Sequence, residues 1–215
     1  MKSGFGIVAA IALALGSGAA PAQDYPTGPV KILVQFPPGG VPDLVGRTLA
    51  EKFSQAFGKP FVVENRTGAN GNIATEAVVK SEPDGRTLLL AASGSSAMGP
   101  NIYTKLPFDP QKDLAPITLA TTYDFVMLAA PGFAANTPQE LVALAKARPG
   151  KLSFASSGFG SEHHLSGELF NLITGAGLVH VPYKWFGPAT VDVMGGQIEI
   201  MFGSIPAALP FLQSG

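Results

Sequence analysis

The most constraining feature of this sequence is an apolar run that ends in a glycine-rich loop and continues into a helical pattern. The arrangement occurs at residues 36–43 and 64–72, and a third loop at residues 156–164 stands in the equivalent position further along the chain. Strands that alternate with helices of this length favour parallel pairing through right-handed crossovers. The pattern therefore predicts an α/β protein built from doubly wound sheets.

The same alternation divides the chain into two predicted α/β domains. Predicted strands cover residues 30–34, 61–64, 86–92, 125–129, 152–155, 178–181 and 198–202, and predicted helices cover residues 44–57, 69–81, 137–146, 161–174 and 187–194. Between residues 93 and 116 the pattern gives way to Gly, Pro, Asn and Asp, which favour turns and loops. We therefore predict a first domain at residues 23–115 and a second domain at residues 116–215.

The first 22 residues have the pattern of a cleavable signal peptide. Lys2 precedes an apolar stretch at residues 5–15, and small residues follow up to Ala22. The apolar stretch is short for a bilayer span, and the small residues suit signal peptidase. We predict cleavage after Ala22 and export of the remaining chain, with an uncleaved membrane anchor as the alternative.

Charge and cysteine content exclude several classes of function. The formal net charge is −1, and it becomes −2 without the predicted signal peptide, so no basic field attracts nucleic acid or an anionic membrane surface. The sequence has no cysteine, which excludes disulfides, thiolate catalysis and cysteine metal sites. A bound anion must therefore be held by local contacts.

Glycine loops at the starts of helices suit the binding of an anion. In the first two loops, bare backbone N–H groups and two helix N-termini lie side by side. Ligands of doubly wound sheets bind outside the carboxyl ends of the strands, so all three loops are expected to meet in a cleft between the domains. Glycine that serves only a tight turn is the alternative explanation.

The composition of these loops favours a carboxylate, with phosphate as an alternative. Neither the first loop nor the third contains a lysine or arginine. The first loop lacks the third glycine of a dinucleotide-binding fingerprint, and no GxxxxGK[ST] motif occurs in the sequence. We therefore predict a binder of small carboxylates that uses no nucleotide cofactor.

Two adjacent histidines in the third loop raise the questions of metal binding and catalysis. His163 and His164 would point about 100° apart on a helix, which disfavours joint ligation of one ion, and no HExxH motif accompanies them. An exported α/β hydrolase using Ser157 or Ser161 with a histidine is the alternative function, although a GxSxG motif is missing. We predict that these side chains bind a ligand or cap a helix, and that the protein uses neither a metal nor catalytic residues.

Five further residues lie near predicted helix starts. Trp185 and Phe186 follow a predicted strand, where they either line the cleft or pack under the next helix. Asp43 lies in the first turn of a predicted helix, where a carboxylate favours the helix dipole or acts as a cap. Thr137, with Glu140 three residues later, predicts an N-cap and a capping box.

Short motifs in a fixed order along the chain resemble those of a known family. They lie at residues 25–26, 29–32, 36–40, 63–66, 68–71, 83–85, 106–110, 157–161, 164–165 and 180–184, with Asp43 after the first loop. The set resembles the Bug proteins, which are periplasmic solute-binding receptors of tripartite tricarboxylate transporters. The resemblance extends over nearly the whole chain that follows the predicted signal peptide.

The resemblance implies a fold, a function and partners. The implied fold is the α/β type II periplasmic-binding-protein fold, in which two doubly wound domains close around a cleft. The implied function is the capture of a small organic acid in the periplasm by a monomer without cofactor or catalytic residues. Transporter membrane subunits or a sensor protein are the implied partners. Chains of the family run on beyond this length, so the resemblance also implies C-terminal truncation and a missing returning segment of the first domain.

The resemblance also identifies ligand-binding positions. The implied contacts are Pro38, Gly39, Gly40, Ala69, Asn70, Gly71, Ser93, Ser95, Ser157, Gly158, Ser161 and His164. The sequence departs from the family at three places. Pro42 stands where a hydroxyl residue is usual, Trp185 and Phe186 replace small residues, and Gly203 and Ser204 replace an Asp-Asn pair. These departures alter the cleft, so the ligand preferences of the family transfer poorly.

Overall fold

The computed structural model describes residues 25–214, and the predicted signal peptide at residues 1–22 lies outside this range. The strands are β1 (Val30–Val34), β2 (Phe61–Asn65), β3 (Thr87–Leu90), β4 (Phe125–Ala129), β5 (Ser153–Ser156), β6 (Val179–Pro182) and β7 (Ile200–Ser204). The α-helices are α1 (Val41–Phe57), α2 (Asn72–Val79), α3 (Gly99–Ile102), α4 (Pro138–Ala147), α5 (Glu162–Thr174), α6 (Phe186–Met194) and α7 (Ile205–Ser214). Among residues 25–214, no helix combines the length and apolar character that a bilayer span requires.

The first half of the chain contains a parallel sheet in the order β2-β1-β3. The central strand β1 buries Val30, Ile32 and Val34, which form a core with Ala50 of α1 and Phe61 of β2. A strand with neighbours on both sides and a helix above it excludes water from its apolar side chains, and this burial stabilises the sheet. The loops after these three strands consequently lie at one edge.

The second half contains a sheet in the order β4-β7-β5-β6. Strands β6, β5 and β7 are parallel and repeat the order of the first sheet, whereas β4 is antiparallel to β7. The parallel pairing predicted from strand-helix alternation is therefore wrong for β4. Phe125, where β4 begins, pairs with Ser204, where β7 ends. The chain enters this sheet at its carboxyl edge, so its first strand runs in the opposite direction.

The core of the second half and the start of α4 follow the sequence pattern. Phe154, Leu141 and Ile200 are nearly inaccessible to solvent and belong to one apolar cluster. The predicted N-cap of α4 is confirmed, because the amide of Glu140 donates to the hydroxyl of Thr137 over 3.2 Å. In a capping box the carboxylate of Glu140 would accept from the amide of the N-cap residue, Thr137. Here it accepts instead from the amide of the preceding residue, Asn136, over 2.7 Å.

Two segments beside the cleft differ from the predicted elements. The helix predicted at residues 69–81 begins with a 3₁₀ turn, and α2 starts only at Asn72, because Ala69 and Asn70 have left-handed backbone conformations. Residues 93–102 were predicted to be irregular, yet a π-helical turn at Gly94–Met98 leads directly into α3. The local composition does not predict this turn, because the turn is stabilised by a hydrogen bond from Gln35, the residue directly after β1.

Candidate functional site

The carboxyl edges of the two sheets meet across a cleft, and hydrogen bonds join them. The side-chain amide of Asn70 donates to the carbonyl of Gly160 over 2.8 Å. The hydroxyl of Tyr103 donates to the carbonyl of Phe159 over 3.2 Å. The second and third glycine loops therefore touch, as expected for a ligand cleft between two doubly wound units.

A carboxylate that belongs to α1 holds the first glycine loop in place. Asp43 is 3% exposed, and its oxygens accept from the Gly39 amide over 3.0 Å, the Arg47 guanidinium over 3.0 Å and the Asn65 side chain over 2.8 Å. The hydrogen bond from Arg47 is the largest cause that lowers the pKa of Asp43 to about 2. Asp43 therefore fixes the conformation of the loop, and the Gly39 amide donates its hydrogen bond to this carboxylate. Pro38 and Gly40 lie in the same loop, with Gly40 at the N-cap of α1.

A buried glutamine directly after β1, which sequence reasoning missed, joins α2 to the turn after β3. The side chain of Gln35 donates to the hydroxyls of Thr75 and Ser95 over 2.8 and 2.6 Å, and it accepts from the Ala92 amide over 2.8 Å. Gly71 packs against it, since a Cβ at this position would lie 2.7 Å from the Gln35 amide carbon. The sequence signal that could have identified Gln35 is its position as a polar residue directly after the apolar residues of β1.

The two serines after β3 have different surroundings. Ser95 is fully buried, and its hydroxyl accepts from Gln35 within the first half. Ser93 is exposed, and its hydroxyl donates across the cleft to the carboxylate of Glu162 over 3.0 Å. The adjacent Gly94 amide donates to the same carboxylate oxygen over 2.8 Å. Of the two predicted positions, Ser93 is therefore the one that faces the opposite half.

Hydrogen bonds within the third loop determine its shape. Ser161 is the N-cap of α5: its hydroxyl accepts from the His164 amide over 3.2 Å and donates to the Gly158 carbonyl over 2.7 Å. His164 accepts from the Gly160 amide through Nδ1 over 3.1 Å. Gly158 has a φ of +120°, which a side chain would strain. The predicted capping role of Ser161 is confirmed, and ligand contact by these residues stays a prediction.

A serine-histidine pair does occur in the third loop. The hydroxyl of Ser157 and Nδ1 of His163 are 2.7 Å apart, and the ring of His163 lies 5.0 Å from that of Phe125 and 5.3 Å from that of Phe186. Within residues 25–214, no hydrogen bond links His163 to a carboxylate that would complete a catalytic triad. In the same part of the chain, no cluster of three His, Asp or Glu side chains is placed to hold a metal ion.

The three histidines of the second half are packed against other rings. The ring of His180 stacks on those of His164 and Phe154 at 4.0 and 5.0 Å, and its Nε2 lies 2.7 Å from the Ser156 hydroxyl. Burial lowers the pKa of His163 to about 4, and burial together with the neighbouring His164 lowers that of His180 to about 4. Both rings are consequently neutral at physiological pH.

These depressed histidine pKa values predict a loss of stability in mild acid. The contribution of the neutral rings is complete above about pH 6.5 and is lost as the pH falls toward 4, because the unfolded chain binds the protons first. We expect the free energy of unfolding, measured with urea, to fall by about 3 kcal/mol between pH 7 and pH 4.5. His180→Gln should reduce this dependence. A free energy that is constant over this range would contradict the prediction; Asp43, whose pKa is about 2, titrates below it.

A cavity of about 1010 Å³ opens beside these contacts. Residues from both halves line it, among them Phe36, Tyr123, Phe125 and Glu162. Of the ligand-binding positions predicted from the sequence, Ser93 lines this cavity and the other eleven do not. Within the part of the chain that the structure describes, no lysine or arginine contributes to the lining, although three carboxylates do. An anion in this cavity would depend on backbone amides and hydroxyls rather than on an ion pair.

Comparison with known proteins identifies the family. Residues 45–215 match the family described as the tripartite tricarboxylate transporter family receptor. The chain belongs to this family. It is 40% identical over 211 residues to protein BugT of Bordetella pertussis, which confirms the predicted Bug resemblance. The match covers 97% of this chain and 65% of BugT, so the chain spans about two thirds of the length of that relative.

Solved structures confirm the predicted fold class. A structure of an R. palustris protein with adipate is similar at 32% identity and a TM-score of 0.83, covering 89% of this chain and 64% of the other. The periplasmic binding protein BugD is similar at 34% identity and a TM-score of 0.76, covering 88% and 63%. The chain therefore has the periplasmic-binding-protein fold of this family. Because the family consists of receptors, the chain is not an enzyme, and the hydrolase alternative is wrong despite the Ser157–His163 contact.

Proposed function

We propose that this receptor captures a small organic carboxylate in the cleft between its two halves. The observation that carries the proposal is the meeting of the second and third glycine loops, joined by the hydrogen bond from Asn70 to Gly160, close to a hydroxyl and an amide that hold a carboxylate oxygen. The adjacent cavity has no lysine or arginine in its described lining. Such donors match a carboxylate, whereas a more highly charged group would favour a basic side chain. The adipate-bound relative supports the same class of ligand.

The proposed ligand-contacting segments are the three glycine loops and the turn after β3. They contain Pro38, Gly39, Gly40, Ala69, Asn70, Gly71, Ser93, Ser95, Ser157, Gly158, Ser161 and His164. The hydrogen bonds of Ser95, Ser161 and His164 within their own halves support a role in shaping these segments. The exposure of Ser93 and the loop position of Gly40 support direct contact.

The proposal includes a location and partners. Residues 1–22 would direct export and be removed after Ala22, leaving a monomeric receptor in the periplasm with a first domain at residues 23–115 and a second at residues 116–215. The loaded receptor would deliver its carboxylate to the membrane subunits of a tripartite tricarboxylate-type transporter or to a sensor protein. Family membership and the N-terminal sequence pattern support this part of the proposal.

A row of rings on the second half favours a ligand with a flat or apolar portion. The ring of Tyr123 stacks on that of Phe125 at 5.9 Å, and contacts at 5.0 and 5.3 Å continue the row through His163 to Phe186. Trp185, which precedes α6, is 44% exposed. Aromatic faces of this kind pack well against planar or aliphatic groups and poorly against a strongly hydrated tricarboxylate such as citrate.

The experiment that tests the function is isothermal titration of the protein with adipate, benzoate and citrate. We expect saturable binding of adipate or benzoate at least about tenfold tighter than that of citrate, a difference of about 1.4 kcal/mol. Binding should weaken only modestly between low and physiological salt, since neutral donors hold the anion.

Tryptophan emission provides a second readout of the same titration. Trp185 is the only tryptophan, so its emission should shift when a ligand enters the cleft. Binding of none of the three acids would contradict the proposed ligand class, and preferred binding of citrate would contradict the preference for a flat or apolar portion. Binding with a fixed emission spectrum would place Trp185 away from the ligand.

A further inference from the structure

One carboxylate of the protein itself bridges the cleft. Glu162 belongs to the first turn of α5, in the second half. Its Oε1 accepts from the Ser93 hydroxyl over 3.0 Å and from the Gly94 amide over 2.8 Å, and both donors follow β3 in the first half. A single carboxylate oxygen therefore joins two segments that lie almost 70 residues apart in sequence.

The two donors form the type of contact that a carboxylate ligand needs. A hydroxyl and a backbone amide that converge on one oxygen make charge-assisted hydrogen bonds, which are about twice as strong as neutral ones. The approach requires glycine, because a Cβ at residue 94 would lie 3.3 Å from both Glu162 oxygens and 2.9 Å from Nδ2 of Asn70. Ser93 and Gly94 thus hold a carboxylate at a place where a side chain would interfere.

Among the described residues that line the cavity, none supplies a cation to compensate the charge of Glu162. It lines the same cavity as Ser93, and the described lining contains no lysine or arginine. A second carboxylate that enters the cavity would therefore be repelled by the charge of Glu162 and would compete with it for the hydrogen bonds from Ser93 and Gly94.

We infer that Glu162 is an internal carboxylate that fastens the two halves together in the unliganded protein, and that the carboxylate of a ligand displaces it from Ser93 and Gly94. The fastening depends only on the contacts within the chain. The displacement rests on the proposed function. Glu162 would then set the affinity for carboxylates by competition, without itself contacting the bound ligand.

The fastening is tested in the free protein with Glu162→Gln. Its control is Glu168→Gln, which makes the same charge change on the same helix at a side chain that is 48% exposed and lies 3.8 Å from His164. We expect the amide resonance of Gly94 to shift and its hydrogen exchange to accelerate about tenfold in Glu162→Gln, as the loss of a charged acceptor predicts. The control should leave both unchanged. Equal behaviour of the two variants would overturn the inference.

The displacement is tested with acetate, which is a carboxylate without further recognition groups. In Glu162→Ala, we expect millimolar acetate to shift the Gly94 amide resonance in a saturable manner. Acetate should bind about tenfold more weakly to the original protein, because the Glu162 carboxylate competes for the same donors. It should also bind about tenfold more weakly to Ser93→Ala/Glu162→Ala, because the hydroxyl donor of Ser93 is lost. Equal acetate affinity in all three proteins would overturn the displacement.

The two tests separate this inference from the proposed function. If Glu162→Ala does not fold, Glu162→Gln takes its place in the acetate titration, since its neutral side chain is a weaker competitor. An altered Gly94 amide together with no binding of adipate or benzoate would retain the fastening and reject the proposed ligand class. An unaltered Gly94 amide together with adipate binding would reject the fastening alone.

Discussion

Replacing Gly71 by valine is expected to destabilise the first half by at least about 3 kcal/mol. Gly71 has a φ of +88°, a backbone conformation that a β-branched residue adopts only with strain. Its Cβ would also lie 2.7 Å from the side-chain amide carbon of Gln35. Gln35 would have to move, and its hydrogen bonds to Thr75, Ser95 and Ala92 would be lost together.

Gly40→Val is the matched control for this prediction. Gly40 has a φ of −80°, and a Cβ there would meet nothing closer than Cδ of Pro42 at 3.7 Å. Urea unfolding should therefore show a loss of no more than about 1 kcal/mol for Gly40→Val, which is the cost of a poorer N-cap residue. Similar unfolding free energies for the two variants would contradict the role assigned to the Gly71–Gln35 contact. Because Gly40→Val keeps the fold, any loss of ligand affinity in that variant reports on the first loop alone.

Replacing Gly203 by aspartate is expected to destabilise the second half by at least about 3 kcal/mol. Gly203 is buried in β7, and its Cβ would lie 2.5 Å from Cε2 of Phe186. The aspartate would clash with this ring and would place a carboxylate under an apolar cluster that includes Ala155 and Met201. Gly28→Asp is the control, since its Cβ would lie 3.6 Å from the Arg86 guanidinium in an unstrained position.

The double variant Phe186→Gly/Gly203→Asp should recover part of this loss. Removal of the ring opens the space that the aspartate needs, so the double variant should be at least about 2 kcal/mol more stable than the sum of the single effects. Urea unfolding of the four proteins in this cycle measures the coupling. Additive effects would show that Phe186 and Gly203 are independent departures from the family pattern rather than a compensating pair.

The elements that sequence predicted well are those encoded locally. The apolar run of β1, the glycine loop and the periodic apolar residues of α1 lie within 30 residues, and all three appear as expected. The same holds for the cap at Thr137, because its partner Glu140 is three residues away. Short-range periodicity and capping chemistry decide such features before any distant part of the chain is considered.

Features that depend on distant partners could not be predicted. The direction of β4 depends on its pairing with β7, about 75 residues later in the chain. The burial of Gln35 depends on Thr75 and Ser95, and the orientation of Glu162 depends on Ser93 across the cleft. A glutamate in the first turn of a helix is favoured by the helix dipole alone, so the sequence gives no reason to expect a second role.

The contacts of Asp43 also bear on the entropy of binding. Because this carboxylate holds the Gly39 amide, the Arg47 guanidinium and the Asn65 side chain, the first loop is ordered before a ligand arrives. Ordering one loop residue costs about 1–2 kcal/mol in conformational entropy. In this protein the loop becomes ordered when the chain folds, so ligand binding does not incur that cost. If the proposed function holds, a cleft whose described lining contains no lysine or arginine can then bind a carboxylate through individually weak contacts, since little of their free energy is consumed in ordering the loop.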